Sequence, residues 1–493
     1  MSKMNVLLIT ADQWRGDCLS ALNHPVVKTP NLDQIAAEGV LFSQHYANAV
    51  PCGPSRACLH TGMYLHNHRS GTNGTPLDKR FTNWALELRA EGYDPVLFGY
   101  THTAQDPRDM EAGDPRLNTD EGVLPGIRPL IDMATHCPDW RDDLRQKGYS
   151  LPDDDGATYG VKGEPVAPGV PTPTQYRAED SDTAFLTDGV ISYVESQTGP
   201  WAAHLSLRAP HPPWVATAPY NEQYDPQGLP GYQRQSTREA EQQVHPWLDA
   251  HLGIARNGSH SDPQRHQLLQ ASYYGLMSEV DHHMGRLVQF LKDCGEWDRT
   301  LFIFTSDHGE QMGDHWMYGK AGFYDQSYHI PLVICGPGLT VGQCDAFTEH
   351  VDIVPTILES LDQKIPRQCD GKSLKPWLVG AADPGWRESA HFEYDFRHSD
   401  AESTLEVEME SACLNVVRDN QYKYVHFAEL PALLFDLQAD PGELHNIAES
   451  EPELVATYAK KLLSWRLATT DKSLTHLQIV RGQGLINKLD LSL

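Results

Sequence analysis

The chain has little that would tie it to a membrane, to nucleic acid or to an oxidising compartment. No apolar run approaches the roughly 20 residues that cross a bilayer. The apolar core near the N-terminus, in Met1-Ser-Lys-Met-Asn-Val-Leu-Leu-Ile-Thr10, is too short for a signal peptide and runs straight into Ala11-Asp12-Gln13. Positive charge is scarce: 39 Lys and Arg stand against 67 Asp and Glu, a formal net charge of −28. The mean field of such a surface repels polyanions, which argues against nucleic acid and acidic membranes as partners but leaves room for a local cationic pocket. The nine cysteines are odd in number and include no CxxC pair. No disulfide framework is therefore expected, and the reading is a cytoplasmic protein. Internal repeats and low-complexity tracts do not stand out.

What is present is a globular composition, 40% hydrophobic and 22% charged over 493 residues, long enough for a large core. Asn5–Thr10, Val40–Tyr46, Pro95–Gly99, Trp201–Leu207, Leu301–Thr305 and Pro331–Cys335 read as buried strands, several continuous in apolar residues. Helical patterns alternate with them at 29–39, 84–90, 180–197 and 264–294. The expectation is an α/β fold with a large, mostly parallel sheet flanked by helices. After about Gly371 the texture changes to a hairpin (Cys413–Val417 and Tyr422–Phe427), a further strand at 433–437 and a helix at 452–466. This predicts a catalytic domain over 1–375 and a smaller C-terminal α+β lobe over 376–493, whose last residues form a tail. The stretch 106–177 reads as long surface excursions, and His245, His251 and His260 as solvated loop residues.

Two kinds of position carry chemistry. The first is Cys52-Gly-Pro-Ser-Arg56, running into Thr61-Gly62. Pro54 suits a first helical turn and Gly62 a helix stop, so Cys52 would sit at the positive end of a helix, beside free N–H groups and the Arg56 guanidinium. The second kind is the strand end. The first strand ends on Asp12-Gln13, and the strand 301–305 ends on Ser306-Asp307-His308. Ligands in open α/β sheets bind beyond the carboxyl ends of strands. Two carboxylates, an imidazole and an amide oxygen there make a mixed oxygen/nitrogen site for one divalent cation, Mn²⁺, Ca²⁺ or Mg²⁺.

These residues resemble the sulfatase branch of the alkaline phosphatase superfamily, and the resemblance covers nearly the whole chain. The Cys52 motif, Thr29-Pro-Asn-Leu-Asp33, Thr305-Ser-Asp-His-Gly309 and Phe435-Asp-Leu carry it. Asp12-Gln13, Asp307-His-Gly-Glu-Gln311 and Gly319-Lys320 look most like phosphonate monoester hydrolases and their arylsulfatase relatives. The resemblance implies that Cys52 is converted to formylglycine by a formylglycine-generating enzyme. It implies that Asp12, Gln13, modified Cys52, Asp307 and His308 bind the metal. Arg56, Asn73, Tyr100, His102, His211 and Lys320 would line the pocket of a small anionic ester. The hydrated aldehyde would supply one hydroxyl to attack and a second to release the product, with Arg56 and Lys320 neutralising charge and His211 or His102 protonating the leaving group. The chain departs from the sulfatase pattern with Tyr100 for a lysine and His60 for a leucine. It departs from the phosphonate monoester hydrolase pattern with His102 for a threonine.

The resulting expectation is a formylglycine- and metal-dependent arylsulfatase with cross-activity on phosphonate monoesters and phosphodiesters. The near alternative is a phosphonate monoester hydrolase or phosphodiesterase. More distant ones are a metal phosphatase or mutase using unmodified residues and a binding protein on a decayed sulfatase fold. Retention of every metal-type residue argues against decay. Scattered apolar residues between Leu474 and Ile486 predict that the tail docks on another subunit, giving a homodimer or homotetramer.

Overall fold

A computed structural model of the chain describes residues 3–134, 137–152, 156–160, 171–254, 257–259, 262–381 and 385–488. Its first ten strands are β1 (Asn5–Ala11), β2 (Val40–Tyr46), β3 (Ala49–Val50), β4 (Val96–Gly99), β5 (Arg128–Asp132), β6 (Ala202–Leu207), β7 (Thr300–Thr305), β8 (His329–Cys335), β9 (Gly342–Cys344) and β10 (Thr348–Glu349). All except β3 form one sheet in the order β10-β2-β8-β7-β1-β6-β4-β5, with β9 also on β2. β8 runs antiparallel to both of its neighbours, and every other pairing in this sheet is parallel.

Period-two alternation explains why the central strands read as unbroken apolar runs. In β1, Leu7 and Ile9 pack into one buried cluster, and Val6 and Leu8 into another on the opposite face. The long helix Pro263–Asp293 and α1 (Pro30–Ala36) cover the first face through Met277, Val280, Leu287 and Ile35. Asp281 ties the two helices by accepting from the Leu32 N–H and the Asn31 side chain.

The second sheet comprises β3, β11 (Ala390–Asp395), β12 (Cys413–Arg418), β13 (Tyr422–Phe427) and β14 (Leu433–Asp436), in the order β14-β13-β12-β11-β3. The predicted hairpin is present, and the helix Pro452–Thr469 packs on it through Tyr458 and Leu462. One strand of this lobe, β3, comes from the beginning of the chain. A shared cluster joins Tyr46, Trp247 and Phe323 to Phe392, Leu414 and Phe435. Packing is thus continuous across the expected division at residue 375.

The stretch 106–177 holds more regular structure than expected: β5 at the edge of the main sheet and the helix Pro138–Gln146. The solvated reading of His245 and His251 is overturned. His245 caps the helix Pro246–Gly253 and His251 lies within it, and both are buried; His260 lies outside the described residues. The tail forms a two-stranded hairpin, β15 (Leu477–Val480) with β16 (Gly484–Asn487), and residues 489–493 lie outside the described part. All nine cysteines are free thiols. No described helix is long and apolar enough to cross a membrane.

Candidate active site

Because β1, β6 and β7 are parallel and adjacent, their carboxyl ends deliver Asp12, the Arg208–His211 segment and Asp307 to one edge of the sheet. β3 leads directly into α2 (Cys52–Thr61), a wholly buried helix with Cys52 at its first position and Gly62 (φ 70°) closing it in the left-handed region. Asp12, Cys52, Asp307 and His308 are buried, and one ligand atom from each lies within 4.8 Å of the other three. His308 Nε2 is 3.2 Å from Cys52 Sγ, 3.6 Å from Asp307 Oδ2 and 3.8 Å from Asp12 Oδ1.

The cluster fits a divalent cation. Asp12 Oδ1 is buried and makes no hydrogen bond, although an anionic oxygen removed from water demands a partner. His308 Nδ1 lies 3.0 Å from the Gly309 carbonyl, which can only accept. The proton is therefore on Nδ1, and Nε2 turns its lone pair toward the cluster, the arrangement of a metal-bound imidazole. Burial and the Lys320 ammonium hold His308 neutral, pushing it down to about 3. Burial and the Asp12 charge raise Asp307 to about 6, whereas His211, Arg56 and Lys320 overcome burial and keep Asp12 well below the usual carboxylate range. Burial pushes the Cys52 thiol up to about 12. An unmodified thiol here is protonated at neutral pH and is a poor nucleophile.

Arg56 is placed differently from the expectation that it meets substrate. It is fully buried behind the cluster and donates from Nε to Asp307 Oδ2 and from Nη2 to Asp12 Oδ2, both at 3.0 Å. Its Nη1 donates to Ser206 Oγ and the Tyr100 carbonyl. Tyr100, also expected in the pocket, packs its ring on that guanidinium at 4.5 Å and donates its hydroxyl to Asp12 Oδ2. Both residues position metal-type ligands. Asn73 has a comparable task at the helix mouth, where its Oδ1 accepts from the Gly53 N–H at 2.9 Å.

Gln13 stands at the rim with φ 70°, a strained backbone held by its own N–H donating to Asp307 Oδ1. Glu310 accepts from its Nε2, and its Oε1 accepts from Lys320 Nζ at 2.5 Å. Lys320 and His211 line, with Gln13, an open pocket of about 320 Å³ that extends to the C-terminal lobe. His211 is pushed down to about 3 by burial and by Lys320. Its Nδ1 lies 2.8 Å from the Pro212 carbonyl, so Nε2 is an acceptor. In the resting protein His211 would therefore take up a proton before it could give one to a leaving group. His102 lies at the other side of the α2 mouth, its Nε2 3.3 Å from Asp120 Oδ2 and its Nδ1 3.9 Å from Glu121 Oε1.

Four supporting residues escaped the sequence reading. Ser206 and Glu310 are described above. Ser306 Oγ accepts from the Trp14 N–H, and the Ser55 hydroxyl donates to the Asp307 carbonyl. Ser55, Ser306 and Glu310 lie within the motifs that mark the cluster, although nothing local gave their roles, whereas Ser206 lies outside those motifs.

A family model described as "Sulfatase" matches residues 4–363, and one described as "N-sulphoglucosamine sulphohydrolase, C-terminal" matches residues 313–468. The chain is 41% identical to "Multifunctional alkaline phosphatase superfamily protein PehA" of Trinickia caryophylli, over 97% of this chain and 98% of that one. It is 27% identical to arylsulfatase K of Xenopus laevis, over 94% and 82% of the two chains. Among solved structures, the phosphonate monoester hydrolase of Agrobacterium radiobacter is similar with a TM-score of 0.93 and 43% identity, covering 98% of this chain and 99% of that one. The phosphonate monoester hydrolase SpPMH from Silicibacter pomeroyi gives 0.92 and 38%, covering 99% of both.

Proposed function

Because the chain belongs to the sulfatase family, whose members of known activity among its relatives hydrolyse sulfate or phosphonate esters, we propose that it is a metal- and formylglycine-dependent hydrolase of singly charged esters. Phosphonate monoesters and phosphodiesters come first, and sulfate monoesters are the second reading. The observation that carries this choice is the commitment of Arg56 and Tyr100 to the cluster carboxylates. Among the described residues that line the open pocket, Lys320 is the one Lys or Arg. A phosphate monoester, doubly charged at neutral pH, would meet a single side-chain cation, which matches a monoanion better. Relatives named phosphonate monoester hydrolases match at 38–43% identity and the named arylsulfatase at 27%, which supports the same order.

When bound, a divalent ion (Mn²⁺ or Ca²⁺, with Mg²⁺ as third candidate) supplies Lewis-acid charge to the reacting oxygens, held by Asp12, Asp307, His308, residue 52 and Gln13. Formylglycine at position 52 supplies two hydroxyls on one carbon. The other residues prepare that chemistry. Arg56 fixes the two carboxylates in one orientation, and Glu310 fixes the Gln13 amide so that its oxygen faces Lys320. Lys320 holds its proton, because the neighbouring carboxylates of Asp12, Asp307 and Glu310 outweigh the effect of burial, and it neutralises charge developing on the ester. His211 Nε2 is poised to take up a proton released as the reaction proceeds.

The second reading rests on His102, the imidazole of the sulfatase pattern. The test is kcat/KM on matched aryl phosphonate, aryl sulfate and aryl phosphate monoesters, together with a phosphodiester. Expected is a strong preference for the singly charged esters, led by phosphonate. Preference for the phosphate monoester would overturn the proposal, and sulfate in first place would establish the second reading. We also propose a formylglycine-generating enzyme as the modifying partner.

A further inference from the structure

On the face of the main sheet where α2 packs, a line of polar side chains runs through an otherwise apolar layer. β1 and β6 pair in parallel with Thr10 opposite Ser206 and Leu8 opposite His204, so Thr10, Ser206 and His204 share one face. Val6 and Leu8 of β1 cluster there with Ala57 and Leu59 of α2, the helix that brings Arg56 to Ser206. Thr10, Arg56, His204 and Ser206 are all fully buried. Buried polar groups are costly unless they are paired, so the direction of each hydrogen bond in this line is informative.

Ser206 Oγ accepts from Arg56 Nη1 at 2.8 Å and from the Thr10 hydroxyl at 3.2 Å. Thr10 Oγ1 is also 3.0 Å from His204 Nε2. A threonine hydroxyl carries one proton, and Thr10 gives it to Ser206, so His204 Nε2 must be a donor. Burial, with His60 and Arg56 close by, holds His204 well below the ordinary histidine range, so it stays a neutral ring with a single donor. His60 and Trp84 meet that ring edge-on, at centroid distances of 5.3 and 6.2 Å, and keep it in place. The result is a one-way sequence of donors, from His204 to Thr10 to Ser206, that meets the guanidinium at its end. With two donors on Ser206 Oγ, the serine's own proton is turned away from Arg56 and its oxygen faces the cation. A guanidinium is rigid and planar, so fixing Nη1 also fixes Nε and Nη2, which hold Asp307 and Asp12.

We propose that His204 and Thr10 are positioning residues of the metal site. Their donors keep Ser206 an acceptor toward Arg56, and so hold the two cluster carboxylates in the orientation that a divalent cation needs. The inference rests on the metal-dependent reading given above.

The test is titration of Mn²⁺ into the full-length, metal-free protein, followed by calorimetry with no substrate present. Thr10→Val keeps the size and shape of the side chain and removes the hydroxyl. It should weaken Mn²⁺ binding about tenfold, the lower end of what the outer partners of metal ligands are worth. Thr10→Ser returns a hydroxyl to the same place and should bind Mn²⁺ like the wild type. If valine is not tolerated at position 10, a second pair carries the same comparison. His204→Leu withdraws the first donor and should repeat the loss, whereas His204→Gln, whose amide nitrogen can donate to Thr10, should repeat the recovery. Unchanged affinity in the variants that lack the donor overturns the inference, even if their thermal midpoints fall, because the role would then be purely structural. An equal loss in the variants that keep a donor overturns it as well. A wild-type protein that binds neither Mn²⁺ nor Ca²⁺ overturns the metal-dependent reading and this inference with it, and so is told apart from failure of the positioning role alone.

Discussion

The Tyr100 hydroxyl donates to Asp12 Oδ2, the oxygen that also accepts from Arg56, so that Oδ1 is left to face His308. Two donors on one oxygen orient the carboxylate and direct its other oxygen to the cluster. Support of this kind is typically worth 10- to 100-fold in metal affinity or activity.

Tyr100→Phe should therefore weaken metal binding by about that factor while leaving the fold unchanged, because its ring still covers Arg56. Metal titration followed by elemental analysis measures it. Full affinity in the variant would show that Arg56 alone orients Asp12.

Conversion of Cys52 is expected to appear as formylglycine at position 52 in a peptide map. Cys52→Ser offers one hydroxyl instead of two, so the first displacement can occur but its product has no internal route of release. A burst or a trapped ester with little turnover should result. Full multiple-turnover activity of the serine enzyme would exclude the proposed use of formylglycine.

His60 replaces the leucine of the sulfatase pattern and is fully buried, its Nδ1 accepting from Trp84 Nε1 at 3.2 Å. Burial, with Arg56 and His350 nearby, lowers it from 6.5 to about 3. A histidine with a depressed folded pKa contributes stability that is present above its unfolded pKa and is lost as pH falls toward the folded value. The slope is about 1.4 kcal/mol per pH unit within that window. His60→Leu should thus show a smaller drop in thermal midpoint between about pH 7 and about pH 5 than the wild type. Parallel profiles would mean that other groups set the acid limb.

The tail hairpin β15–β16 exposes Ile479 at 85% and Leu485 at 65%, and Leu474 just before it at 74%. An isolated two-stranded ribbon is marginal in water. We propose that it docks on a second copy of the chain, in a homodimer or homotetramer. Sedimentation should show the assembly for the wild type and a smaller species for Ile479→Asp combined with Leu485→Asp. A wild-type monomer at micromolar concentration would refute the proposal.

Local signals made most of the fold legible. β1, the helix 84–90 and the β12–β13 hairpin follow from apolar period and turn chemistry within a dozen residues. The cluster was legible for a similar reason, since Asp12, Cys52 and Asp307 each mark the end of an element. Roles set by distant partners were not. Nothing near Arg56 reveals that its charge is taken up by Asp307, 251 residues away. His251 looked like a loop histidine because its burial comes from the fold, not from spacing.

The two-residue strand β3 pairs with Glu393 and Tyr394 of β11, immediately before the chain reaches Cys52. The segment that leads into Cys52 is thereby hydrogen-bonded into a sheet whose other strands lie far later in the chain, between residues 390 and 436. The C-terminal lobe cannot then be exchanged as a module. A chimera joined between residues 375 and 390 would mate a foreign β11 with this β3, and any mismatch in register would be transmitted two residues along the chain to Cys52. Successful recombination with relatives should require residues 49–50 to travel with the lobe they are stitched to.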